Sequence, residues 1–245
     1  MKLKLLASAA ALIATTQTVW ADCPNIDHNQ LTAALKASIA PTGGPSNGGL
    51  DFHMWATVVA PDAVVCLVTK SGDGLNDQWL GSRIISAQKA STAVFFSLDN
   101  GLALSTANLY GTNQPGQSLW GLQFSNPVDF RKAYAGDSAD FGTDEDPLEG
   151  ERVGGVNVFG GGLPLYDENH KLVGALGVSG DTSCADHNVA WRVRHELGLD
   201  FVPAGVSADG NDNIIYDKNG KPRGFEHPNC GNNEKDVNKT LPSTR

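Results

Sequence analysis

Apolar and polar positions along this chain change period several times, and each change predicts an element. Residues 31–39 (LTAALKASI) carry an amphipathic helical pattern that Pro41-Thr42-Gly43-Gly44 ends. Residues 55–60 and 64–69 are apolar, β-branched runs separated only by Ala60-Pro61-Asp62-Ala63, which predicts a hairpin. From Trp79 to Phe95 the period becomes helical, with Leu80, Ile84, Ala87, Gln88 and Ser91 at spacings of three and four. Residues 156–159, 163–167 and 172–179 read as strands, the last two joined by the polar turn Glu168-Asn169-His170-Lys171. Ser183-x-x-Asp186 has capping-box character and opens a helix to Leu197, and Gly198 suits the left-handed position just past a helix end.

Between these elements lie three irregular stretches. Residues 100–127 are rich in Gly, Ser, Asn and Gln, yet contain Leu104, Leu109, Tyr110, Leu119, Trp120, Leu122 and Phe124. So many apolar residues predict an ordered loop packed on the core. Residues 137–151 form an acidic insert, read as a solvated surface loop with calcium binding as the lesser reading. After Asp200 the chain turns Asn-, Gly-, Pro- and Asp-rich, with one short strand at 213–216, and reads as an ordered appendage with a frayed tail. Hairpin-linked strands with helices at either end predict one antiparallel sheet flanked by helices, an α+β domain.

The first residues refine the picture. Lys2 and Lys4, an apolar run over 5–15 and Val19-Trp20-Ala21 have the anatomy of a signal peptide cleaved after Ala21. The run is shorter than the about 20 residues that span a bilayer, and no later stretch qualifies. The expected division is therefore a signal peptide at 1–21, a domain at 22–199 and an extension at 200–245, in a soluble protein of the periplasm or the medium. Net charge is -9 with scattered lysines and arginines, which argues against nucleic acid or an anionic membrane surface as partner. Cys23, Cys66, Cys184 and Cys230 form an even set, read as two disulfides in an exported chain. Three pairings are open, and Cys184–Cys230 with Cys23–Cys66 is preferred because it ties the polar tail to the core. No C-x-x-C pair supports a zinc site.

Several motifs fail on inspection. Gly177-Val178-Ser179-Gly180-Asp181 lacks the final glycine of a nucleophile elbow. Gly160-Gly161-Gly162 precedes a strand instead of opening a helix, so it is no phosphate loop. His187 and His195, eight apart on one helix, stand about 80° apart around its axis and cannot chelate one metal together. Either could ligate a haem iron singly. The plainer reading turns Trp191 and Val193 to the core and leaves the two histidines, Arg192 and Arg194 towards solvent or capping the helix. His53, at a strand start beside Met54 and Trp55, is a third candidate.

Gly161-Gly162-Leu163-Pro164-Leu165, a short turn, and Leu172 to Gly180 (LVGALGVSG) followed by a helix resemble the signature of the GlcG/HbpS family, which includes the C-terminal domain of PduO-type proteins. The strand at 64–70, Ser71-Gly72-Asp73-Gly74 and the helix bearing Ala87-Gln88-Lys89-Ala90-Ser91-Thr92-Ala93 fit the family's middle section. The resemblance covers roughly residues 31–199. It implies a profilin-like antiparallel sheet covered by helices, frequent homo-oligomerisation, and haem or a related tetrapyrrole as cofactor. Axial ligation varies across the family, so no ligand is carried over by position. The acidic insert, the loop at 100–127 and the extension closed by Cys230 are departures from the short members.

The leading expectation is an exported haem-binding protein serving haem sensing, storage or uptake. Its candidate site comprises His187 or His195 for the iron, Trp191, Phe159 and Tyr110 as walls, and Arg192 or Arg194 for the propionates. The first alternative is a small-molecule lyase, isomerase or haem-degrading enzyme with Asp181, Asp186 and His187 as acid/base groups. The second is a cofactor-free accessory binding module whose glycines serve tight turns.

Overall fold

A computed structural model describes residues 22–245; the expected signal peptide at 1–21 lies outside them. The elements run α1 (His28–Ala37), β1 (Trp55–Val59), β2 (Val65–Lys70), α2 (Ser82–Phe95), α3 (Leu122–Ser125), α4 (Phe130–Ala133), β3 (Gly162–Tyr166), β4 (Leu172–Ser179), α5 (Ser183–Glu196), β5 (Ile215–Tyr216), β6 (Glu226–His227) and α6 (Glu234–Asn238). The first four strands make an antiparallel sheet in the order β2-β1-β4-β3, flanked by helices, so the domain is α+β. β5 and β6 form a separate two-stranded parallel pair in the extension.

Both tight connections are set by local chemistry. Ala63 takes φ 64° in the β1–β2 turn, and Ala60 N donates to Val64 O across it. In the β3–β4 turn Asp167 Oδ1 accepts from Asn169 N and Lys171 N while His170 takes φ 59°. Alternation along the strands then sorts side chains to two faces. Ala56, Val58, Leu163, Leu165, Leu176 and Val178 pack with α1 and α5. Trp55, Val59 and Ala175 pack with Ile84, Ala87, Ala90 and Ala93 of α2. Each strand is thus covered on both sides, which is why β1 and β3 are buried at every position.

α2 lies unusually close to the sheet because β4 has no side chain beneath it at Gly177. A Cβ there would overlap the Ser86 carbonyl oxygen and stand 2.7 Å from Ala90 N. The glycines before β3 act likewise: a Cβ on Gly161 would sit 2.9 Å from the Asp186 Cβ, and one on Gly160 3.1 Å from the His187 Cβ. The two motif blocks are therefore the surfaces on which α2 and α5 close down.

Both outer strands have occupied edges. Along β2, Val65 N donates to Glu151 O and Gly150 N to Val65 O, each at 2.9 Å. Along β3, Gly162 N donates to Thr106 Oγ1, Pro164 has no N–H and its carbonyl accepts from Arg194, and Tyr166 N donates to Leu199 O. Cys23–Cys66 ties the N-terminal arm to β2, and Cys184–Cys230 ties the extension to α5.

The structure departs from several readings. Residues 156–159 are not a strand; they run over α2, and Asn157 N is satisfied by Thr92 Oγ1 at 2.9 Å. The acidic insert is anchored: Asp146 and Leu148 are buried, and Asp146 is paired with Arg83 while accepting from Gly142 N and Leu148 N. Residues 100–127 divide. Leu104 and Leu109 enter the core, whereas Trp120 and Phe124 stand exposed against each other, ring centroids 6.2 Å apart. Helix α5 is capped one residue earlier than expected, by Thr182, whose side chain accepts from Ala185 N. Nor does the tail fray: Arg245 pairs with Asp200, and Pro242 O accepts from Trp191 Nε1 at 2.8 Å.

Candidate functional site

A cleft of about 310 Å³ opens where the start of α2 faces the β4–α5 junction. Trp79, Ile85 and Phe159 give it apolar and aromatic surface; Ser82, Asn157, Ser179 and Ser183 add hydroxyls and an amide; Lys89, Asp181 and Asp186 bring charge. The volume falls at the lower end of ligand pockets, about 300–1,000 Å³.

Lys89 and Asp186 meet in this cleft. Lys89 Nζ donates to Asp186 Oδ2 at 2.6 Å and to Val178 O at 3.1 Å. The other carboxylate oxygen of Asp186 accepts from Gly180 N and Asp181 N. Lys89 is 1% exposed and Asp186 2%. Burial pushes Asp186 up to about 6, against the opposing pull of Lys89. The same burial holds Lys89 below the usual lysine range, with Asp186 opposing. Burial thus disfavours the charged form of each partner, while the ion pair between them opposes it.

Asp181, by contrast, is committed to structure. Its carboxylate accepts from Leu50 N, Phe52 N and Thr182 N, which fixes the loop before β1 against the start of α5. That loop brings Phe52 edge-on to Trp79, ring centroids 5.3 Å apart, and His53 is the next residue in the chain. His53 is half-buried, its Nδ1 lies 2.9 Å from Ser71 Oγ, and its Nε2 has no partner among the described residues.

Of the other candidates from sequence, only Phe159 lines this cleft. Tyr110 packs behind it, its ring 5.8 Å from Phe159 and 5.2 Å from His227. The remaining α5 candidates face elsewhere, and the expectation that the histidines and arginines lie towards solvent or cap the helix fails for two of them. His187 is fully buried, with Nε2 3.1 Å from both Ile214 N and Asn213 Oδ1. Ile214 N also donates to Asn213 Oδ1 at 2.8 Å, and His187 Nδ1 is buried without a partner among the described residues. Burial drops His187 to about 3. Arg194 is likewise sealed, held by Asp212 and Pro164 O. Arg192 donates to Ser38 O and Ser46 O, Trp191 is covered by the tail, and His195 Nδ1 lies 2.7 Å from Asp200 Oδ2. Asp181, Asp186 and Phe159 are therefore brought together, while His187, His195, Trp191, Arg192 and Arg194 are not.

Lys89, Trp79, Asn157 and Ser179 are what sequence reasoning passed over. The available signal was Lys89 itself, a lysine flanked by Ala87, Ala90 and Ala93 on the small-residue face of α2. For metals, one cluster among the described residues has suitable geometry, Cys184, His227 and Cys230, and its two sulfurs are joined in a disulfide.

The chain is thus an α+β domain with a small cleft at a helix–sheet junction. The family described as haem degrading protein HbpS-like matches residues 51–194. The chain belongs to that HbpS-like family. Among solved structures it is similar to Klebsiella pneumoniae protein ORFY, at 22% identity over 76% of this chain and 97% of that one, with a TM-score of 0.45. It is similar to PduOC in complex with haem at 23% identity, over 69% and 89% of the two chains, with a TM-score of 0.45. A double mutant of Streptomyces reticuli HbpS gives 17% identity, 78% and 99% coverage, and a TM-score of 0.42. No curated protein matches the chain.

Proposed function

We propose that this protein binds haem or a related tetrapyrrole at the mouth of the Trp79–Phe159 cleft, with His53 as the iron ligand. Membership of the HbpS-like family supports the ligand class. The observation that carries the site is a half-buried imidazole whose Nε2 has no partner among the described residues, one position after Phe52, whose ring packs on Trp79 at the cleft. The fit is selective. His187 is excluded because its Nε2 is occupied and its ring sealed. His195 has a carboxylate partner and no cleft around it. Lys89 is the one cation lining the cleft among the described residues and is held by Asp186, so the propionates point into water. A haem held this openly can be handed on, which suits storage, sensing or uptake. Export to the periplasm belongs to the same proposal, since two disulfides suit an oxidising compartment. So does self-association, for which exposed Trp120, Phe124, Phe130 and Tyr134 offer surface.

Haemin titration followed by Soret absorbance tests the reading. We expect saturation at micromolar haemin, a shifted band in His53→Ala, weaker binding in Phe159→Ala, and an unchanged spectrum in His195→Ala. Absence of a saturable band in the wild-type protein overturns haem binding; an unchanged band in His53→Ala overturns the ligand.

A further inference from the structure

The haem reading leaves the floor of the cleft unused. Lys89 and Asp186 form the one ion pair among the described residues that lines it. We propose that Lys89 is a nucleophile towards small uncharged aldehydes or ketones, forming a Schiff base at the cleft floor while Asp186 holds the proton that Lys89 sheds.

The placement of the amine supports this. A lysine on a helix ordinarily keeps its ammonium in water, whereas α2 carries Lys89 inwards to the Val178 carbonyl and Asp186. Nζ has three donor positions and only two acceptors among the described residues. Gly161 contributes by omission: a Cβ there would stand 3.0 Å from Nζ. As a brace alone the pair is a poor device, because well-packed apolar residues of similar volume commonly do as well or better. What apolar residues cannot supply is a desolvated amine with a carboxyl at 2.6 Å to take its proton.

The chemistry balances without an outside redox partner. Lys89 passes one proton to Asp186, and the neutral Nζ attacks the carbonyl carbon, forming a C–N bond. The carbonyl oxygen is protonated and leaves as water, giving the imine. Ser82, Ser183 and Asn157 supply polar groups for that oxygen, and Trp79, Ile85 and Phe159 accept an apolar body. Asp181 and Asp186 share the lining with Lys89, its only cation among the described residues, which disfavours anionic carbonyl compounds such as keto acids.

The test uses the full chain with disulfides intact and no haemin, so it stands or falls apart from the haem reading. The protein is exposed briefly to butyraldehyde and cyanoborohydride at pH 6.5, and modified lysines are mapped by peptide mass spectrometry. Exposed lysines are held protonated at this pH, and each unit by which an amine's pKa falls raises its reactive fraction about tenfold. We expect Lys89 to be alkylated at least about tenfold faster than exposed Lys218 and Lys221. Glyoxylate, an anionic aldehyde, should lose that preference. Labelling of Lys89 no faster than Lys218 overturns the proposal, and equal preference with glyoxylate overturns the substrate class. Both readouts use the unmutated protein, so neither depends on a variant that folds.

Discussion

Arg194 grips Asp212 through two parallel hydrogen bonds of 2.7 and 2.8 Å, with both side chains fully buried. The pair joins α5 to the extension, and a third bond from Arg194 reaches the Pro164 carbonyl on the edge of β3. Removing one partner leaves a buried charge alone, so Asp212→Ala should cost about 3–5 kcal/mol. Replacing both, as Arg194→Met with Asp212→Leu, should recover most of that loss. Urea unfolding of the three variants checks the cycle. A double variant as unstable as Asp212→Ala would mean that the packing of this corner matters more than its charge.

The close approach of α2 makes a second prediction. Gly177→Ala adds one methyl group where the Ser86 carbonyl already lies. The helix must lift or the strand must bend, at about 3 kcal/mol or more. Thermal unfolding should show the loss. Alanine at Gly210, where a side chain meets no atom within 4 Å but φ is 75°, should cost only about 1 kcal/mol from backbone strain.

Acid should weaken the junction between α5 and the extension. Burial drops His227 to about 4, below the ordinary 6.5 of a free imidazole. Below pH 6.5 the unfolded chain takes up this proton and the native chain does not, so the His227 contribution is present above pH 6.5 and is lost as pH falls towards 4. Glu149, pushed up to about 7 by burial, and Asp186, at about 6, act in the opposite direction over part of that range. The clean observable is therefore the stability difference between wild type and His227→Gln. It should shift against the wild type by about 2–3 kcal/mol between pH 7 and pH 4.5. A pH-independent difference would show that this ring carries no buried, neutral imidazole.

The Cys184–Cys230 bond closes a loop of sequence separation 46. Cys184→Ser with Cys230→Ser should lower stability by about 4 kcal/mol on the loop-entropy account. It should also make residues 217–232 the first site of limited proteolysis. Proteolysis unchanged from wild type would mean that the Arg194–Asp212 pair and the Trp191–Pro242 bond suffice to hold the extension.

The hairpins, α2 and α5 were legible because period and turn chemistry are local: Pro61-Asp62 and the Asp167–Lys171 turn announce themselves within five residues. The cleft was half legible. Asp186 and Phe159 sit next to glycine motifs that draw the eye, whereas Lys89 reaches the cleft because the missing side chain at Gly177 lets α2 sink onto β4. The burial of His187 and Arg194 was illegible for another reason. The segment that covers them is polar, and Asn213, Asp212 and Asn238 serve as hydrogen-bond partners where an apolar cover would have been recognisable by pattern. Asp146 in the acidic insert misled in the same way, because its buried partner, Arg83, lies 63 positions earlier.

The occupied margins of the sheet have a consequence for the molecule in a crowded compartment. An uncovered outer strand is a template on which another chain can add, the first step towards swapping or fibrillar growth. Here the 150–151 segment meets one margin, while Thr106, Arg194 and Leu199 meet the other. The acidic insert on one margin, and the 100–127 loop with the end of α5 on the other, therefore also guard the protein against aggregation through its own sheet.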